Sequence, residues 1–365
     1  IIPLASPGMM AKGLKWMLNS TSPFYMKPRF NIDFFRWVWY FNKSATAINV
    51  KKAIPLIREI NLISKQLYKD IYNSDDLGVF HIDTKGVLML YKTDKAGEEE
   101  FKVSILAAKE GLDVKQLSFL EVKKIEPTLH NTVKGAILYE CDAHLTPNEF
   151  IEKMIIYLRA KGVIFKTKET VTDFITENDH EVKGVQTDKT IYTADEFVIA
   201  SGSWSRDIAK KLNLKLPMEA GKGYGINVTR PIEINYPAIL MEPKVAVTPM
   251  NGFTRFAGTM EFSGINTTIR KERVNAIVNA AKQYYEGLTF TTTEIDAVQS
   301  GLRPISPDGL PYIGKTKRYK NITIASGHAM MGWSLGPITG KLVAEIITNK
   351  KLSMNIDAFN PDRKF

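Results

Sequence analysis

The sequence predicts an α/β protein of two interleaved domains, and three observations carry that prediction. The chain has 365 residues, more than one ordinary core organises. A strand, a glycine turn and a helix start follow one another twice, at 196–205 and again at 321–348. Between these lie short strands with polar turns, the grammar of a mixed, mainly antiparallel sheet. The return to the first grammar after the second assigns 1–75, 146–216 and 298–365 to one domain. The other takes 76–145 and 217–297.

Along the chain, 44–73 reads as a helix interrupted or kinked near Pro55. Val79–Ile82 and Val87–Tyr91 flank Asp83-Thr84-Lys85-Gly86, a hairpin signal. Residues 94–110 read as a charged helix and Gly135–Glu140 as a short strand. Thr146-Pro147-Asn148-Glu149 opens a helix to about Lys161, with Thr146 as cap and Glu149 completing a capping box. Strands follow at 163–166, 171–176, 182–187 and 190–192, punctuated by Asn178-Asp179-His180 and Lys183-Gly184. Glu196–Ala200 reads as a buried strand running into Ser201-Gly202-Ser203-Trp204-Ser205. Residues 217–262 are strand-like, 270–286 helical and 293–300 a further strand. Asn321–Ala325 is an apolar strand, Ser326-Gly327-His328 a turn and Leu335–Thr348 a helix.

Composition removes several function classes. Apolar residues at 44% and charged residues at 24% are those of a folded protein. No apolar run is long enough for a transmembrane helix. The single cysteine, Cys141, excludes an intrachain disulfide and a cysteine-built metal or iron–sulfur centre, and no metal site is expected. Zinc-protease, P-loop and nucleophile-elbow motifs are absent. The opening Ile1-Ile2-Pro3-Leu4-Ala5-Ser6-Pro7 reads as a mid-protein loop, so the reading expects a start upstream.

The net charge of +10 is concentrated at one end. Residues 1–73 hold eleven Lys/Arg against three Asp/Glu, and ten aromatics fall between Trp16 and Phe41. Such an arm seats on an anionic membrane, binds single-stranded nucleic acid, or packs on its own core. No RNA-binding signature supports the nucleic-acid reading, and no nucleic-acid partner is expected.

Two motifs carry chemistry. Gly301-Leu302-Arg303-Pro304-Ile305-Ser306-Pro307-Asp308-Gly309-Leu310-Pro311-Tyr312-Ile313-Gly314 holds an arginine in a stiff backbone. Its guanidinium either grips a carboxylate bidentately or pairs with Asp308. Gly327-His328-Ala329-Met330-Met331-Gly332-Trp333-Ser334-Leu335-Gly336 ends a strand and opens a helix. Free backbone N–H groups there suit an electron-rich oxygen. His328 is a base, a hydrogen bonder or a core histidine. Gly221-Lys222-Gly223-Tyr224-Gly225 lacks the spacing and the following helix of a dinucleotide fingerprint.

Residues 301–314 and 324–340, with Lys222-Gly223-Tyr224 and the opening Ser6-Pro7-Gly8 and Leu14-Lys15-Trp16-Met17, resemble the FAD-dependent D-amino-acid oxidoreductase family. The resemblance covers nearly the whole chain. It implies a Rossmann-like FAD-binding domain at 1–75, 146–216 and 298–365, incomplete at its amino terminus, since the family's G-x-G-x-x-G unit would precede Ile1. Residues 76–145 and 217–297 become the substrate domain. FAD is implied to be non-covalent, because Cys141 lies outside the matching motifs. Arg303 and Tyr224 would hold the substrate carboxylate, with His328 beside them. Cofactor contacts would come from Val171, Ala200, Gly202, Trp204, Gly301, Gly327, Met331, Gly332, Trp333 and Ser334. Met330 stands where glycine oxidase has an arginine, which implies one carboxylate clamp and a more apolar pocket. The implied reaction is oxidation of a D-amino or D-imino acid by hydride transfer to the flavin, with electrons passing to a quinone or another acceptor. cis-4-Hydroxy-D-proline oxidation is the alternative, and a cofactor-free scaffold is the alternative of another class. The resemblance also implies a cytoplasmic enzyme, held at the inner membrane face through residues 9–43.

Overall fold

The computed structural model describes residues 2–8, 22–27, 29–177 and 180–365. Residues 9–21, which include Leu14–Met17 and the first part of the basic arm, lie outside that description, as do Asn178 and Asp179. The described elements run β1 (Phe24–Met26), α1 (Ile32–Ser44), α2 (Ala47–Asn73), β2 (Ile82–Asp83), β3 (Val87–Tyr91), α3 (Asp94–Lys109), β4 (Val114–Ser118) and α4 (Phe119–Ile125). Next come β5 (Gly135–Tyr139), β6 (His144–Leu145), α5 (Pro147–Ala160), β7 (Val171–Glu177), β8 (Glu181–Thr187), β9 (Ile191–Thr193), β10 (Phe197–Ile199) and α6 (Ser205–Lys211). The last are β11 (Glu219–Val228), β12 (Ala238–Leu240), β13 (Val245–Met250), β14 (Phe253–Phe262), α7 (Lys271–Tyr284), α8 (Thr292–Asp296), β15 (Gln299–Ile305), β16 (Tyr312–Lys315), β17 (Ile322–Ser326) and α9 (Gly336–Ile347).

The fold is the mixed α/β class the sequence predicts. A large, mostly antiparallel sheet runs β15-β11-β14-β13-β12-β3-β5-β4, with β1 added parallel to β14. One face of it forms the main core: Tyr224, Ile226 and Val228 of β11 lie with Val274, Ile277 and Ala281 of α7. A smaller sheet, β10-β17-β16, joins β10 and β17 in parallel. It is covered by α9 and α2, with Ile313, Ile338 and Leu342 against Ala53, Ile57 and Ile60.

Several expectations are corrected. α2 runs unbroken through Pro55, because its buried stripe of Ala53, Ile57, Ile60, Ser64 and Tyr68 outweighs the lost hydrogen bond. The 79–91 hairpin does not form. β3 buries Leu88 and Leu90 completely between β5 and β12, while two-residue β2 pairs with β6. No strand forms at 163–166, whose Val163 and Ile164 are exposed. Residues 292–296 are helical, started by a Thr291/Glu294 capping box, and the strand begins only at Gln299. The 196–200 strand is short, with Ile199 buried and Val198 exposed. Thr146 does not cap α5 with its side chain. Its Oγ1 accepts the Asn251 N–H at 2.9 Å, and Glu149 accepts the His81 N–H at 3.1 Å. Both tie the helix start to its neighbours instead.

Candidate active site

Arg303 stands on β15, an edge strand, where Pro304 costs no ladder bond. It faces Gly221 across the β11–β15 pair, and its side chain crosses β11 over Gly223. A Cβ at Gly223 would lie 2.1 Å from Nη1, so glycine is required for that path. Nη1 donates to the Thr259 carbonyl at 3.2 Å. Among the described residues Arg303 has no carboxylate partner. Asp308, the alternative partner, is held bidentately by Arg363, at 2.8 Å from Nε and 2.9 Å from Nη2. Burial lowers the Arg303 pKa, and a guanidinium remains charged even so.

The Tyr224 side chain does not join it, although Tyr224 lines the same cleft between Gly223 and Gly225. Successive strand residues point to opposite faces. Gly221, Gly223 and Gly225 share Arg303's face, whereas Lys222, Tyr224 and Ile226 share the other. The Tyr224 hydroxyl donates to Glu261 at 2.7 Å, and the ring is 2% exposed. Burial and that carboxylate raise its pKa. Lys222 sits 3.1 Å from the same carboxylate, and Arg273 and Arg270 also face it. Burial opposes ionisation of Glu261, but bonds from Ser263, Tyr224 and Lys222 hold its pKa below the usual range. Tyr224 thus belongs to a closed ion network, and the pair expected to share one carboxylate is split by the sheet.

The 327–336 segment is fixed from α2. Gly327, with φ +78°, has the Tyr312 ring where a Cβ would fall, at 2.6 Å. The Tyr68 hydroxyl donates to the Trp333 carbonyl at 2.7 Å, and Ser64 Oγ to the Ser334 carbonyl at 2.6 Å. With these carbonyls held, the N–H groups of Gly332, Trp333 and Ser334 have no acceptor among the described residues. His328 takes the core role: it is buried, its Nε2 lies 2.9 Å from Thr339 Oγ1, and burial lowers its pKa to about 4.

Other expected residues gather at β15. The 3₁₀ turns Gly202–Trp204 and Ala329–Met331 both lie against that strand. Ser326 Oγ donates to the Gly202 carbonyl at 3.1 Å, joining the ends of β10 and β17. Ala200 and Trp204 are exposed beside that junction. Val171 stands apart, at the head of β7 in the separate β7-β8-β9 sheet. α6 bridges to it, Lys211 Nζ donating to the Thr172 carbonyl at 2.5 Å. Added Cβ atoms at Gly202 and Gly301 meet nothing within 4 Å. These bare glycines and the three unbonded N–H groups fit a flat, electron-rich cofactor.

Sequence reasoning missed Arg255, Asn227 and Asn148. All three line a cleft of about 350 Å³ together with Arg303 and the glycine strip of β11. The signal was present in Gly221-Lys222-Gly223-Tyr224-Gly225, a strand with glycine at every second position and therefore one bare face.

A strand-end turn, an N–H-rich loop and an arginine with no carboxylate partner among the described residues thus gather around β15. The family model described as FAD dependent oxidoreductase matches residues 41–346, and the chain belongs to that family. It is an FAD-dependent oxidoreductase acting on amino acids. Among its relatives is the D-amino acid dehydrogenase of Helicobacter pylori, 28% identical over 358 residues, spanning 97% of this chain and 84% of that protein. The D-amino acid dehydrogenase of Neisseria meningitidis serogroup C is 27% identical over 370 residues, spanning 99% and 87%. The fold is shared with glycine oxidase from Geobacillus kaustophilus (TM-score 0.75, 20% identity, 86% and 84% of the two chains). It is also shared with L-proline dehydrogenase from P. horikoshii (TM-score 0.73, 23% identity, 83% and 81%).

Proposed function

We propose that this chain oxidises D-amino acids at Cα to the 2-imino acid, which hydrolyses in water. The observation that carries the reading is the Arg303 guanidinium, laid across Gly223 with no carboxylate partner among the described residues. A bidentate carboxylate is its natural complement, and that grip fixes where Cα and its hydrogen point. Bound FAD supplies the acceptor for the hydride. Gly332, Trp333 and Ser334 would hold it by their N–H groups, with Ala200, Gly202, Trp204, Gly301, Gly327 and Met331 around it and Val171 at its far end. His328, buried and neutral at physiological pH, serves as packing rather than as the base. Relatives named D-amino acid dehydrogenase support the D configuration. The test is the visible spectrum of the purified protein under anaerobic conditions. D-alanine should bleach the flavin bands and L-alanine should not. Bleaching by cis-4-hydroxy-D-proline alone would turn the reading to that imino acid, and bleaching by L-alanine alone would overturn it.

The acceptor side of the same reading is a membrane quinone. α1 buries Phe34, Trp37 and Phe41 in its own core but exposes Ile32, Phe35 and Trp39, spaced i, i+3 and i+7. Arg36 is exposed beside that stripe, and Lys43 lies over the Trp39 ring. An apolar stripe flanked by cations suits the surface of an anionic bilayer. No helix among the described residues is long and apolar enough to cross one. Sedimentation with phosphatidylglycerol vesicles should carry the protein down. Replacing Phe35 and Trp39 by serine should release it, and continued sedimentation of that variant would remove α1 as the anchor.

A further inference from the structure

The geometry points to a second anion-binding position in the cleft, Arg255, which selects D-amino acids with an acidic side chain. This rests on the proposed D-amino-acid reading and narrows its substrate class. Arg255 lies on β14 opposite Asn227 of β11, on the same sheet face as Arg303. Its Cδ is 3.9 Å from where a Gly225 Cβ would be, and both arginines line one cleft over the glycine strip. Gly223 and Gly225 are one strand repeat apart. The Arg303 guanidinium over Gly223 and the Arg255 Cδ beside Gly225 thus lie about 7 Å apart along β11, and a short dicarboxylate spans two such neighbouring positions.

Among the described residues no carboxylate answers this second charge. Arg255 Nε donates to the Asn227 side-chain oxygen at 2.9 Å, and its guanidinium stands over the Phe253 ring. No Asp or Glu lines the cleft among the described residues. The first turn of α5 brings Asn148 to the rim without a side-chain cap, so a helix N-terminus adds to the positive side. Two part-buried guanidinium groups and a helix start around one cavity, with no acid among them, is a costly arrangement for a neutral ligand. An α-carboxylate on Arg303 answers one charge, and a side-chain carboxylate on Arg255 answers the other. On this inference a second cation comes from β14, whereas the expectation from Met330 concerned the 327–336 loop.

The experiment measures kcat/KM of the flavin-loaded enzyme for D-aspartate, D-glutamate and D-alanine with an artificial electron acceptor. An acidic substrate should exceed D-alanine at least tenfold. In Arg255→Leu the acidic-to-alanine ratio should fall by about 10- to 100-fold, the loss of one charge-assisted grip. Arg255→Lys should fall less, and it serves as the folding-safe second variant. Flavin-band titrations with succinate or glutarate against propionate should give the same ranking at equilibrium. Oxidation of D-alanine with no acidic preference would overturn the second position alone, as would a ratio unmoved in both variants. Bleaching by no D-amino acid would overturn this inference together with the reading it rests on.

Discussion

The two faces of β11 place alternate residues of one strand in opposite circumstances. On one face Ile305 and Met260 cover Gly221, while Gly223 and Gly225 leave a bare floor crossed by Arg303, which has no carboxylate partner among the described residues. On the other, Lys222 and Tyr224 meet a buried carboxylate, Glu261, ringed by further arginines. Both faces hold cations out of bulk water. Among the described residues a carboxylate answers the cations of the second face, whereas Arg303 and Arg255 of the first have none, and the proposed reading assigns that counter-charge to a ligand. A buried charge that the fold does not answer marks the site more sharply than any motif.

Breaking the closed face should give the largest effect on stability. Glu261→Gln leaves Lys222 and Arg273, whose side chains are each 1% exposed, facing one another without an anion. We expect a loss of about 3–5 kcal/mol in urea unfolding. A loss below about 1 kcal/mol would show that the network is not what holds that face.

The open face should respond in activity. Arg303→Leu is expected to lower kcat/KM about 100- to 1000-fold while the unfolding midpoint stays within error. If the midpoint collapsed instead, Arg303 would belong with the structural cations.

His328 tests the site loop by acid. Burial holds its pKa at about 4, below the ordinary 6.5, so the folded state binds fewer protons than the unfolded state between those values. Its contribution is fully present above pH 6.5 and is lost as pH falls toward 4, to a total of roughly 3 kcal/mol. Unfolding midpoints at pH 7 and pH 4.5 should diverge in the wild type and converge in His328→Gln.

Two smaller substitutions separate the faces most finely. Gly223→Ala pushes a methyl into the Arg303 guanidinium and should cut kcat/KM about tenfold or more. Gly225→Ala, with 3.9 Å to Arg255, should cut it less. Tyr224→Phe removes one hydrogen bond to Glu261 and should cost about 1 kcal/mol of stability with KM unchanged. A tenfold rise in KM would return Tyr224 to the carboxylate grip.

Local pattern determined a good deal by itself. The mixed α/β class, the helices at 94–109, 147–160, 271–284 and 336–347, and the strands at 135–139 and 322–326 all follow from spacing and punctuation. Arg303 was visible as an arginine in a stiff, proline-bound segment, and the 327–336 loop as a strand-to-helix turn. These properties belong to a few neighbouring residues, and the local sequence contains them.

Only the tertiary structure decided partnership and direction. Whether Asp308 answers Arg303 or Arg363 depends on residues more than 50 positions away. Whether Tyr224 joins Arg303 depends on which strand pairs with β11 and in what register, since one residue of slip reverses every side chain. The glycine strip of β11 marks the bare face, but the residues around Arg255 carry no signal that it enters there. Arg255 enters the cleft because β14 lies beside β11 and aligns it with Asn227. Hydrophobic period and turn chemistry act over a few residues, whereas a binding cleft is made by chain segments that meet only when the core closes.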